Sequence, residues 1–458
     1  MRTGSPTSDV LQPVAPARWG RRFERSVTAV PQHAAINRAF FFLLAFFVVY
    51  CSRPEEWVLP LRYVPVAKIT AGGALLAFFA AAKRAERKLK DLPRESNYLL
   101  ALIGYVVLGA FFSPVWKGGA FSHSIEFAKV YIVFLLIFLL VTDVQRLRRV
   151  ILVQSVSVVL ICAISVAKGH SMPRLQGVIG GMYSNPNDLA FAIVLTIPFC
   201  LAFLLSTKNF LWKLAWSAGL LITMVALFLT ASRAGFIDLV ISGAVWLWHF
   251  GIRGRRLYLI VLTAFLGTIL MATAGKKLVQ RFEAIEDADS GEGAHGSYEA
   301  RKYLMKKAAA AIVEYPIFGI GVRNFTSYSG DWHEVHMAYL QIACEGGIPA
   351  VILYLLFFGA GFRNLRILRR RKDLPPDFKI YIGAVHSSLV GFVVGALFAP
   401  EAYQFYPYFA VAYTSAMVAM LKAPSEQAVP VTNRPQFSTR MNRYGSREYA
   451  RPSVELPR

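Results

Sequence analysis

The chain has 458 residues, 55% of them hydrophobic and 14% aromatic, with a formal net charge of +23. Its polar residues fall in short clusters between apolar runs of about 14 to 22 residues, a pattern that excludes a water-soluble domain and reads as a polytopic membrane protein. No phosphate-loop, cold-shock or zinc-finger spacing accompanies the surplus of Lys and Arg, which sits in loops beside the apolar runs, so the charge points to membrane orientation and away from nucleic acid.

In chain order, residues 1–38 are polar and basic and lack a small-residue cleavage site after a short apolar core. They are expected to form a cytoplasmic N-terminal segment, with the first span as the anchor. Twelve spans are then expected, near 39–51, 63–82, 98–112, 125–142, 150–167, 188–206, 210–230, 235–250, 257–274, 336–362, 380–399 and 407–421. With the N-terminus cytoplasmic, the short inner loops carry 21 Lys and Arg and the short outer loops six, which supports both the number of spans and their direction. Between the ninth and tenth spans lies a large loop, 275–335, whose eight basic residues are balanced by nine acidic ones, as expected of a periplasmic loop. Residues 39–422 form the expected membrane domain. The Pro-, Ser- and Arg-rich end, 423–458, reads as a disordered cytoplasmic tail. Cys51, Cys162, Cys200 and Cys344 are scattered and mostly apolar in setting, and read as buried small residues rather than disulfides or metal ligands.

Five stretches carry the chemistry. In LFLTASRAGF, Arg233 falls at the outer end of the seventh span, where a guanidinium needs a polar cavity, a partner or a route to the headgroups. SYEARKYLMKKAAAAIVEY, within the large loop, reads as an amphipathic helix capped by Ser297 and stopped by Pro316. Its apolar face holds Leu304, Met305, Ala308 and Ile312, with Arg301 in the middle of that face rather than among the lysines. YPIFGIGVRNF follows, with Gly319 and Gly321 where the backbone can turn tightly or approach a ligand. DWHEVHMAYLQIACEGGIPA then re-enters the bilayer. His336 there is suited to act as a general base, and Gly346, Gly347 and Pro349 suggest a kink. HEVH is not HExxH, so no metal site is expected. Earlier in the chain, SNPNDLAF opens the sixth span, with Asn187 or Asp188 as its cap.

Taken in order, SNPNDLA, TASRAGF, the Arg301 helix with YPIFGIGVRNF, and HMAYLQIACEGG resemble the O-antigen ligase and polymerase superfamily of bacterial membrane proteins, over about 174–354. The resemblance implies an all-α, GT-C-like inner-membrane glycosyltransferase of cell-surface polysaccharide and lipopolysaccharide biosynthesis. Its active site would face the periplasm and use neither cofactor nor metal. The donor would be an undecaprenyl-diphosphate-linked glycan, the acceptor lipid A core, another glycan or a protein, and the surroundings membrane lipid. The motif positions that match the family's catalytic residues are Arg233, Arg301 and His336. Arg174, Arg323 and Asn187 are secondary substrate-binding candidates. One departure is Met337, where the family usually has Asn or Ser. Ligase and polymerase stay open as readings, with a lipid-linked glycan transporter as the rival from another class.

Overall fold

The computed structural model describes residues 34–168, 174–177, 183, 185–265, 267–268, 272, 295–331 and 333–422. The chain up to residue 33, most of the first part of the large loop and the expected tail from 423 lie outside the described residues. Every regular element described is helical, and no strand occurs among them. The long helices are α1 (Ala34–Ser52), α2 (Val66–Ala81), α3 (Arg94–Ala110), α4 (Lys117–Leu140), α5 (Val144–Lys168) and α6 (Pro186–Ser206). They continue with α7 (Phe210–Leu229), α8 (Arg233–Trp246), α9 (His295–Glu314), α10 (Ala338–Arg370), α11 (Pro376–Gly395) and α12 (Phe405–Lys422).

Eight helices among the described residues are long and apolar enough to cross a bilayer, and α1 and α12 are shorter apolar helices. The chain is thus an all-α polytopic membrane protein. Of the span expected at 257–274, residues 258–265 are described as helix.

The core is one large apolar cluster with α6 at its centre, buried along nearly its whole length against α5, α7, α8 and α11. The α8–α11 contact is close because α11 presents Gly391 and Gly395: a Cβ on Gly395 would overlap the Phe191 ring and lie 2.8 Å from Asp238 Oδ2. Asp238 is 1% exposed, and neither of its carboxylate oxygens has a hydrogen-bond partner. In the π-helical turn that continues α8 (Leu247–Ile252), His249 meets His386 of α11 through their ring nitrogens at 2.8 Å. Asp238, His249 and His386 thus form a polar seam along this contact.

A second, smaller cluster holds the large loop to the bundle. α9 packs on α10 through Leu304, Ala308 and Ala311, together with Ile320, Phe325 and Val335. Two expectations change here. Met305 is 44% exposed, because the buried stripe follows the 304–308–311 spacing and leaves residue 305 on its flank. The helix also starts at His295, so Ser297 lies inside it rather than at its cap.

Candidate active site where the loops meet

The expected kink in α10 is present and explains the local loop geometry. Pro349 has no N–H to give the Glu345 carbonyl, and Gly347 adopts φ 77°, ψ 175°, breaking the helix there. The carbonyls of Cys344 and Glu345 that this break releases accept instead from the Ile320 and Gly321 N–H groups, both at 2.9 Å, while Ile348 N–H donates to Pro316 O at 2.8 Å. YPIFGIG is therefore laced into the gap. Gly319 (φ 65°) and Gly321 (φ 97°) are needed for that approach, since a Cβ on Gly319 would come within 2.6 Å of the Cys344 carbonyl oxygen.

Just past this seam Arg323 takes a left-handed backbone conformation, φ 56°. Asn324 then anchors the loop, its Nδ2 donating at 3.0 Å to Ser113 Oγ and to the carbonyls of Trp116 and Ile320. The Ser113 hydroxyl also donates to Ile320 O at 2.6 Å. Phe318 stacks on Phe112, with ring centroids 4.5 Å apart. These contacts join the large loop to the ends of α3 and α4 and leave the Arg323 side chain exposed.

The SNPND and TASRAG motifs meet through one network. Asn185, rather than Asn187 or Asp188, caps α6, accepting from Asn187 N–H at 3.0 Å. The Asn187 side chain is thereby released to accept from Arg174 Nη2 at 2.9 Å and from Ser232 Oγ at 2.8 Å. Arg174 Nε donates to Thr230 O at 2.8 Å. Ser232 caps α8 by accepting from Gly235 N–H at 3.1 Å, and Ala231 turns the chain with φ 45°. The result is a braced turn carrying Arg233, half-buried, at the first position of α8.

His336 lies two residues before α10 and lines a cavity of about 260 Å³ with Arg323, Asp188, Glu334 and Glu401. Burial first, and then the charges of Arg301 and His333, pull its imidazole down to about 4. Arg301 is therefore near enough to act on His336 electrostatically. His333 is tied to Asp331, whose Oδ1 lies 2.7 Å from its Nδ1. Gln341 fixes one wall, its Nε2 donating to Glu334 Oε2 and its Oε1 accepting from Ala402 N–H, both at 3.4 Å. The Glu401 carboxyl is pushed well above the usual carboxylate range by burial, and next by the adjoining Asp188 and Glu334.

Of the six residues singled out in the sequence, His336 and Arg323 line this cavity and Arg301 acts on it. Arg174 and Asn187 brace the Arg233 turn, and none of these three is among the residues lining it. Sequence reasoning missed Glu401, Tyr403 and Gln404, although one carboxylate in FAPEAYQFYP, far from any Lys or Arg, was a legible signal. A second cavity of about 470 Å³ adjoins through Arg323, Tyr403 and Gln404 and is completed by Tyr50, Arg53, His123, Glu126, Phe127, Val322 and Phe405. Among the described residues no group of three or more His, Cys, Asp or Glu is arranged to hold a metal.

No curated protein matches the chain. Residues 218–355 match the family model described as O-antigen ligase. That match takes in Arg233, Arg301, Arg323, His336 and the α10 kink, and begins after the SNPND motif. Over those residues the chain is similar to the O-antigen ligase family, whose members are glycosyltransferase-like enzymes of polysaccharide biosynthesis.

Proposed function

We propose that the protein transfers a glycan from undecaprenyl diphosphate to an acceptor hydroxyl or amide at the periplasmic face of the inner membrane. The observation that carries this reading is an imidazole held unprotonated at neutral pH, beside a guanidinium, in a cavity lined by carboxyl groups. Arg233 and Arg301 hold the donor diphosphate. As the acceptor oxygen attacks the anomeric carbon, the bond from that carbon to the diphosphate oxygen breaks and its electron pair leaves with the diphosphate. The guanidiniums stabilise that growing charge, and His336 takes the acceptor's proton. Attack opposite the leaving group inverts the anomeric centre. Asp188, Glu334 and Glu401 exchange hydrogen bonds with sugar hydroxyls.

Arg301 gives the base a dependence on substrate. Before donor binds, its charge lowers the proton affinity of His336; a diphosphate seated on Arg301 offsets that charge and restores the basicity when the acceptor is in place. The test supplies purified protein with an undecaprenyl-diphosphate glycan, candidate acceptors and a chelator, and follows product length. A ladder of repeats identifies a polymerase and a single transfer identifies a ligase. Passage of intact donor across the bilayer with no bond change would overturn the transferase reading in favour of a transporter, for which the Asp238 and His249–His386 seam is the structural argument.

A further inference from the structure

Arg53 follows α1, donates its backbone N–H to Val49 O at 3.1 Å, and holds φ 49°. A left-handed residue at a helix end is ordinarily Gly or Asn, and an L side chain there costs about 1–2 kcal/mol. Among the described residues only four non-glycine positions have positive φ: Arg53, Ala231, Arg255 and Arg323. Two of the four are the arginines that line the second cavity. The chain thus accepts backbone strain twice to bring guanidiniums to one space.

Two acids near that cavity are paired, one of them with Arg53 itself. Glu55 pairs with Arg53 at 3.1 Å, and Glu126 pairs with Lys129 on the next turn of α4. The walls are aromatic, with Tyr50 and Phe405 ring centroids 4.7 Å apart and Phe127 and Tyr403 5.0 Å apart. Two arginines and one carboxylate line this cavity, whereas one arginine and three carboxyl groups line its neighbour, and the two share Arg323, Tyr403 and Gln404. A two-substrate transfer requires a second seat connected to the first.

We propose that the second cavity is the acceptor seat: Arg53 and Arg323 bind a phosphate of a phosphorylated glycolipid, and the sugar extends past Tyr403 and Gln404 so that its hydroxyl reaches His336. This rests on the transferase reading. Guanidinium forks match phosphate oxygens, and the aromatic walls offer flat faces to sugar rings. The acceptor is then selected by its charge before its sugar.

The test compares a phosphorylated glycolipid acceptor in nanodiscs with the same lipid treated with phosphatase. For wild type, removing the phosphate should raise the acceptor KM about tenfold or more, the scale of a lost charge-assisted contact. Arg53→Gln should raise the KM of the phosphorylated acceptor by a similar factor, with Arg53→Lys intermediate, and leave the donor KM and the KM of the dephosphorylated acceptor unchanged. Should Arg53→Gln fold poorly, Arg53→Gly, suited to φ 49°, replaces it. Equal loss on both acceptors, a change in donor KM, or no change overturns the proposal. Direct binding of the phosphorylated lipid, measured without donor, separates the two readings: binding that Arg53→Gln weakens upholds the seat even where no transfer occurs, and binding that it leaves intact removes the seat even where transfer is robust.

Discussion

His336 is a weak base by construction, since burial and then Arg301 place its imidazole near 4. Removing the Arg301 charge leaves burial as the main depressing influence, so the proton affinity must rise. Arg301→Gln is expected to move the acid limb of His336 carbethoxylation by diethyl pyrocarbonate upward from about pH 4 toward the ordinary histidine value near 6.5. Peptide mass spectrometry reads that limb without turnover, and an unmoved limb would show that Arg301 does not act on His336. Arg323 separates backbone from side chain in the same way. Its φ of 56° suits glycine, so Arg323→Gly should melt at or above the wild-type temperature while transfer falls at least tenfold. Arg323→Val, a β-branched residue forced into a left-handed backbone, should instead melt lower.

α10 and the loop that fills its break act as one element. Gly347 sits where a Cβ would fall on the Ile317 carbonyl, in a backbone region that L residues avoid. Gly347→Ala is therefore expected to destabilise by about 2 kcal/mol or more, summing left-handed strain and displaced loop hydrogen bonds. A thermal shift in detergent would report the stability, and a matching fall in transfer would follow from movement of Arg323 and His336. This element was legible from GIPA and FGIG, because glycine and proline announce backbone geometry locally. The cavity was less so. Asp188, Glu334 and Glu401 come from three separate segments, and their association depends on how α6, α10 and the α11–α12 loop converge. Arg174 and Asn187 were visible as polar residues at a span end, yet only the folded turn shows that they brace Arg233 instead of lining the cavity. Periodicity also placed Met305 on the buried face of α9, where a stripe drifting with 3.6 residues per turn passes it by.

At the scale of the whole molecule, the two ends of the bundle are built differently. One end gathers Arg53, Ala231 and Arg323, three of the four left-handed non-glycine residues described, with the carboxyl-lined cavity and the loop segment that fills the α10 break; the other is held by guanidiniums that reach backbone. Arg87, 9% exposed, donates to Phe138 O at 2.6 Å, Val141 O at 2.9 Å and Ala416 O at 3.2 Å, closing the end of α4 and tying it to α12. Arg146 makes the parallel link, donating to Leu140 O at 2.8 Å and to Asn37 Oδ1 at 2.9 Å. The basic excess that orients the chain thus also closes its inner end under the expected topology. Truncating Arg87 leaves several carbonyls without their donor inside a packed junction, each worth about 1–3 kcal/mol. Lysine, with one ammonium on a flexible stem, cannot span all three carbonyls as the planar fork does. Arg87→Ala should therefore lower the melting temperature most and Arg87→Lys by an intermediate amount. At temperatures well below both transitions the acceptor and donor KM values should match wild type, because the affected junction lies at the end of α4 opposite the one that Asn324 and the loop engage. A change in KM with melting unaltered would mean that the two ends are mechanically coupled through α4 and α12.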